Sequence, residues 1–148
     1  MEILVLSLLF ILNGFFALSE IALVSSKKAR LEQMRVKGSN GAKVALKLQE
    51  DSEDFLSAIQ VGITLIGIVT GVYGGTNIAG DITPFFEKIV VLQPYAAEIA
   101  MTLTVVVITY ISIIIGELAP KTIALSNPEK TARIVAPVIY YFSKALFP

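Results

Sequence analysis

Three apolar stretches set the pattern of this chain. Ile3 to Ser26 is interrupted by one charge, Glu20, while Phe55 to Gly80 and Ile99 to Ile115 carry no charge at all. At about 1.5 Å per residue, helices of this length can cross a hydrocarbon layer of about 30 Å. The pattern predicts spans at about 3–26, 55–80 and 99–119.

The polar stretches between them have their own signals. Residues 27–54 are split by the turn sequence Gly38-Ser39-Asn40-Gly41 into two short helices, a hairpin outside the membrane. Val44 and Leu48 share a face of the second. Asp51 or Ser52 can cap the following helix, with Glu53 and Asp54 in its acidic first turn. Asp81 to Glu98, with Pro84 and Pro94, predicts a loop that holds a short surface helix at Phe85 to Val90. Asn127 is placed to cap a last helix with Pro128 at its first position. Ile134, Val135, Val138, Ile139 and Phe142 form its apolar stripe, which predicts a juxtamembrane amphipathic helix over 128–147, lying in the membrane plane. Its apolar part, 134–146, is too short for a fourth crossing. The expected fold is an all-α membrane protein: one transmembrane domain over 1–148, with three transmembrane helices, a cytosolic hairpin and the juxtamembrane helix.

Composition agrees. The chain is 55% hydrophobic and only 16% charged, where a soluble domain is about a quarter charged. It has no cysteine and no histidine, so disulfides, thiolate or imidazole metal sites and Cys or His catalysis are excluded. A bound metal must be held by oxygen. The residue set assembles no nucleophile–base pair, so an enzyme is not expected. Zero net charge gives no argument for nucleic acid. Ala17-Leu18-Ser19 has the look of a signal-peptide cleavage site, but the basic segment that should precede it is missing and Glu2 is acidic, so the first helix reads as a retained span.

Charge also sets the topology. Lys27, Lys28, Arg30, Arg35, Lys37, Lys43 and Lys47 lie in the hairpin, and Lys121, Lys130, Arg133 and Lys144 lie on the same side of a three-span chain. The opposite side has Lys88 alone. The positive-inside rule puts the hairpin and C-terminus in the cytoplasm and the N-terminus outside. The hairpin's basic charge could also touch anionic lipid.

Candidate chemistry concentrates at Gly116-Glu117-Leu118-Ala119-Pro120-Lys121, at the end of the third span. Pro120 cannot donate to the carbonyl four residues back, which is Gly116. In a continuous helix this would leave a free carbonyl beside the Glu117 carboxylate, two hard oxygens of the kind Mg²⁺, Ca²⁺ or Na⁺ take. The plainer reading is a surface Glu117 paired with Lys121, with Pro120 simply ending the helix. Glu20 admits the same two readings, an intramembrane carboxylate or a rim residue paired with Lys27 or Lys28. Thr102, Val105, Thr109, Ser112 and Gly116 line one side of the third span, and a polar stripe of this kind belongs in a protein interior. In the second span Ser57, Gln60, Thr64, Gly67 and Gly71 share a face. Gly67 and Gly71 form a small-residue packing seam there, and Gln60 and Thr64 offer oxygen.

With these residues in hand, the chain resembles the transmembrane module of the CorC/cyclin M family, also called haemolysin-related proteins. The carriers are Gly14-Phe15-Phe16-Ala17-Leu18-Ser19-Glu20-Ile21-Ala22-Leu23, then Gln60-Val61-Gly62-Ile63-Thr64-Leu65, then Gly116 to Lys121. The resemblance covers essentially the whole chain. It implies a homodimer in the plasma (inner) membrane that exports Mg²⁺, coupled to Na⁺. It implies a central cavity in which Gly116 and Glu117 ligate the ion, and cytosolic CBS domains that bind adenine nucleotide after residue 148. Transporting members often have Ser at the position of Ala17 and Asn at those of Thr64 and Gly67. Ser19, Ser25 and Thr64 are the hydroxyls available to compensate here. The metal ligands expected are therefore Glu117, Gly116, Ser19, Thr64 and Ser25, with Pro120, Gly67 and Gly71 shaping the helices. The departures at Ala17 and Gly67 motivate a rival function, a non-transporting membrane scaffold or regulatory module of the same fold.

Overall fold

A computed structural model describes residues 2–146, and they are helical almost throughout. The last predicted helical residue, Phe147, and the cytosolic domains expected after 148 lie outside the described residues. The first span is α1 (Glu2–Ser25). The hairpin is α2 (Lys28–Val36) and α3 (Asn40–Glu50). The second span begins as α4 (Ser52–Tyr73), passes through a π-helical turn at Gly74–Ile78 and continues as α5 (Ala79–Glu87). After a 3₁₀ turn at Gln93–Tyr95 the third span runs as α6 (Ala96–Ile113), a second π-turn at Ile114–Leu118, and α7 (Ala119–Ser126). Last comes α8 (Pro128–Leu146). Three continuous apolar helices are thus long enough to cross a membrane: Glu2–Ser25, Ser52–Glu87 and Gln93–Ser126.

Several local expectations are met for the expected reason. Gly38 takes a positive φ of 101°, the left-handed conformation glycine tolerates. Ser39 then caps α3, its Oγ accepting from the Ala42 amide at 3.1 Å. Asn127 Oδ1 accepts from the Lys130 amide at 3.3 Å and starts α8. Asp51 precedes α4, but its side chain makes no capping bond.

The predicted loop at 81–98 is corrected. Most of it is helix: α5 carries Pro84 in its interior and reaches Glu87, and α6 already begins at Ala96. The reason is packing that local sequence does not show. α5 and α6 lie side by side, with Ala79, Ala96 and Ala100 buried, and small residues let helix backbones approach closely in a membrane.

The large-residue core sits at the hairpin end. Phe16, Leu23, Leu31, Leu46, Phe55, Ile59 and Ile139 form one buried cluster, drawn from α1, α2, α3, α4 and α8. Gln49 ties the layers, donating through Nε2 to the carbonyls of Leu23 at 2.9 Å and Ser26 at 3.1 Å at the end of α1. α8 is apolar on two faces. Val135, Ala136 and Ile139 are buried, whereas Ile134, Val138 and Tyr141 are exposed. A helix seated on protein and facing lipid has this character.

α3 meets α8 at very close range, because a Cβ on Gly41 would collide with the Arg133 carbonyl. Gly41→Ala should therefore cost about 1–3 kcal/mol, the usual range for overpacking, read as a lowered thermal unfolding midpoint. Nearby, Lys47 Nζ donates to the Tyr140 hydroxyl at 3.2 Å, and this bond holds the Tyr140 pKa below the ordinary tyrosine value, with the charges of Lys144 and Lys47 adding to it. The folded state thus favours the tyrosinate. Its stabilising contribution appears as pH rises through the lowered value and is absent below it. An ultraviolet titration should show an early-ionising tyrosine that Tyr140→Phe removes and Lys47→Met returns to the ordinary range.

Candidate cation site

The third span does not break at Pro120. It widens into the Ile114–Leu118 π-turn, where the Ala119 amide donates to the Ile114 carbonyl five residues back. Such turns are uncommon and frequent at functional sites. The expected free carbonyl of Gly116 is also corrected. Asn13, buried on α1, donates to it through Nδ2 at 3.2 Å. Hydrocarbon supplies no water to satisfy a carbonyl that proline has deprived of its donor, so a neighbouring helix supplies the hydrogen bond.

Close approach makes this possible. A Cβ on Gly14 would stand 3.0 Å from Pro120 Cγ and 3.4 Å from the Ile115 carbonyl, and one on Gly116 would stand 2.7 Å from Asn13 Nδ2. Glycine at both positions lets α1 and the π-turn touch through backbone. Asn13 had no role assigned from sequence. The available signal was an amide inside a hydrocarbon-length helix, which must find a partner.

Glu117 is half-buried beside this contact. Among the described residues it makes no ion pair, so the Glu117–Lys121 pairing is not formed, and Glu20 pairs with neither Lys27 nor Lys28. Helical spacing places Asn13, Ala17 and Glu20 on one face of α1. Ser19 is fully buried and its Oγ donates to the Phe15 carbonyl at 2.7 Å, leaving lone pairs as its only free valence. Ser25 is half-buried at the last residue of α1.

The second-span candidates stand apart. Thr64 is exposed and accepts from Gln60 Nε2 at 3.4 Å, on an open face with Val61, Leu65 and Ile68. A Cβ added to Gly67 or Gly71 would meet nothing within 4 Å, so these glycines form no seam within one chain. The third-span stripe is likewise outward: Thr102 and Thr109 are exposed, Ser112 is half-buried and Gly116 alone is buried. The reason is that α6 buries Ala96, Ala100 and Thr104 instead. The fold therefore joins Gly116 and Glu117 to α1 but does not enclose Thr64 with them. No group of three acidic residues able to hold a metal occurs among the described residues, and any cation here would meet single carboxylates and neutral oxygens.

Comparison with known proteins bears on this arrangement. Residues 3–148 match the family described as the cyclin M transmembrane N-terminal domain. The chain belongs to the CorC/cyclin M family. The cyclin M domain is 47% identical over its full length to UPF0053 protein sll0260 of Synechocystis sp., covering 33% of that protein. It is 31% identical to UPF0053 protein YhdT of Bacillus subtilis, over 99% of this chain and 32% of the relative. It is 27% identical to a protein named polyamine export protein in Haemophilus influenzae, over 83% of this chain and 28% of the relative. The chain thus spans about a third of the length of these curated relatives.

The Asn13 contact is testable in the cyclin M domain. Leaving a buried carbonyl unsatisfied costs about 1–3 kcal/mol. Asn13→Asp keeps the shape of the side chain but offers no donor when ionised, and Asn13→Leu offers none at any pH. Both should lower the unfolding midpoint; unchanged stability in both variants would show that the Gly116 carbonyl has another donor.

Proposed function

We propose that this domain is the membrane module of a cation exporter, with Mg²⁺ as substrate and Na⁺ as coupling ion. The observation that carries the reading is Glu117: a half-buried carboxylate at the end of an apolar span, without an ion-pair partner among the described residues, next to a carbonyl in a π-turn. An intramembrane carboxylate of this kind marks an ion pathway by default. Glu117 supplies the charge. The Gly116 carbonyl, released or shared by Asn13, and the Ser19 and Ser25 hydroxyls supply neutral oxygen, and retained water completes the shell, as Mg²⁺ commonly requires. One carboxylate holds a divalent ion loosely enough to let it leave.

A homodimer completes the design. The exposed polar face of α4, with Gln60 and Thr64 beside Gly67 and Gly71, and the hydroxyl stripe of α6 are unsuited to lipid. A second copy would cover them and bring Thr64 into an interior. The hairpin side is cytoplasmic by its charge, in the plasma (inner) membrane, and CBS domains binding adenine nucleotide would occupy part of the further length its relatives have.

A second substrate class has its own support. The Haemophilus influenzae relative is named for polyamine export, and a lone carboxylate with hydroxyl acceptors suits an ammonium group as well as a metal. The test is thermal unfolding of the purified protein titrated with Mg²⁺, Ca²⁺, Na⁺ and spermidine, for wild type and Glu117→Gln. Ligand at a hundred times its dissociation constant stabilises by about 2.7 kcal/mol. Mg²⁺ stabilisation lost in Glu117→Gln is the expected result, and a spermidine response with no Mg²⁺ response moves the substrate to the polyamine class. No response to any cation, with Glu117→Gln harming only assembly, favours the scaffold role.

A further inference from the structure

A second site lies at the hairpin end, away from Glu117. Arg30 on α2 and Lys37 just past its end oppose Asn127 and the start of α8, carrying Glu129, Lys130 and Arg133, across a cleft of about 320 Å³. Four cations thus meet one carboxylate. That carboxylate is engaged through one oxygen: Glu129 is 4% exposed, its Oε1 accepts from the Lys27 amide at 3.4 Å and lies 3.9 Å from Arg30, while its buried Oε2 has no hydrogen-bond partner among the described residues. Among the described residues Lys37, Lys130 and Arg133 have no ion-pair partner. Arg35, by contrast, is neutralised by Glu32 and takes no part in the cleft.

The positive-inside rule asks for cations near a span, but not for cations from two elements far apart in sequence to converge on one cleft. Here the convergence is built in, since the glycine contact at Gly41 fixes the backbone of Arg133. Holding like charges together is unfavourable unless an anion joins them. The start of α8 adds the positive end of a nineteen-residue helix.

Depth identifies the source of the anion. α1 ends at Ser25 and α2 begins at Lys28, so the cleft lies just past the end of an apolar helix long enough to span. On α8, the exposed apolar residues Ile134, Val138 and Tyr141 follow directly on Lys130 and Arg133. Basic residues beside an outward apolar stripe are the signature of a helix at the headgroup layer.

We propose that this cleft binds the phosphate group of an anionic membrane phospholipid, with Arg133, Lys130 and Lys37 as its contacts and Arg30 held back by Glu129. The site is independent of the cation at Glu117. Bound lipid fastens the start of α8 to α2 and sets the height of the juxtamembrane helix in the bilayer.

The test is a titration of the protein, in neutral detergent, with phosphatidylglycerol, phosphatidylcholine and inorganic phosphate, reading the thermal unfolding midpoint. Phosphatidylglycerol raises the midpoint and the other two do not. Arg133→Gln, Lys130→Gln and Lys37→Gln each raise the half-saturating phosphatidylglycerol fraction, by about fivefold per charge removed. Lys43→Gln, at an exposed position of α3 outside the cleft, leaves it unchanged. Native mass spectrometry shows one retained anionic lipid per chain in wild type and none in the triple variant. Equal losses in Lys43→Gln and Arg133→Gln would reduce the effect to diffuse charge and overturn the proposal. A triple variant that titrates like wild type would do the same, and stabilisation by inorganic phosphate instead of lipid would overturn the lipid assignment.

Discussion

In hydrocarbon every backbone carbonyl needs a donor, and the architecture of this domain follows from meeting that demand around proline. Pro120 withdraws its donor from Gly116 in the middle of a continuous apolar helix. The chain answers with two devices at one place. The helix expands into a π-turn, and Asn13 crosses from α1 to hydrogen-bond the carbonyl. Gly14 and Gly116 exist as glycines so that these backbones can meet. The same contact places Glu117 at the junction of the first and third spans, so the structural repair and the candidate cation site are one feature.

The character of the packing changes along the long helices. Large side chains such as Phe16, Leu23, Phe55 and Ile139 gather at the hairpin end, where water is near and apolar burial is driven by the hydrophobic effect. Toward the other side the helices pack through alanine, glycine and threonine, as membrane interfaces do without that driving force. Polar side chains left over from this packing, on α4 and α6, face outward. The hairpin and α8 pack together into a base that carries a concentrated positive charge.

Much of this was legible in the chain. Three apolar stretches, a glycine-rich turn and the Asn127-Pro128 cap are local signals, and each produced the element it predicts. The Gly116 to Lys121 stretch also stood out, because a carboxylate and a proline at the end of an uncharged run have few bland explanations. Less legible was the extension of helix through Pro84, where proximity to α6 overrides the local preference for a loop. The face of α6 was misjudged for a similar reason. Thr102 and Thr109 look like interior residues, yet a single chain buries Ala96, Ala100 and Thr104 because small residues permit the closer contact.

Sequence by itself determined the class, the number of helices long and apolar enough to cross a membrane, the hairpin, the amphipathic last helix and the family, since hydrophobic period, turn chemistry and charge are properties of neighbours along the chain. Tertiary structure alone decided which carbonyl Asn13 would satisfy, that Glu117 and Glu20 stand unpaired among the described residues, that Gly67 and Gly71 lie open, and that Arg30, Lys37, Lys130 and Arg133 share a cleft. Those outcomes depend on residues as far as 103 positions apart meeting in space, and no local rule of periodicity or propensity encodes which of them will meet.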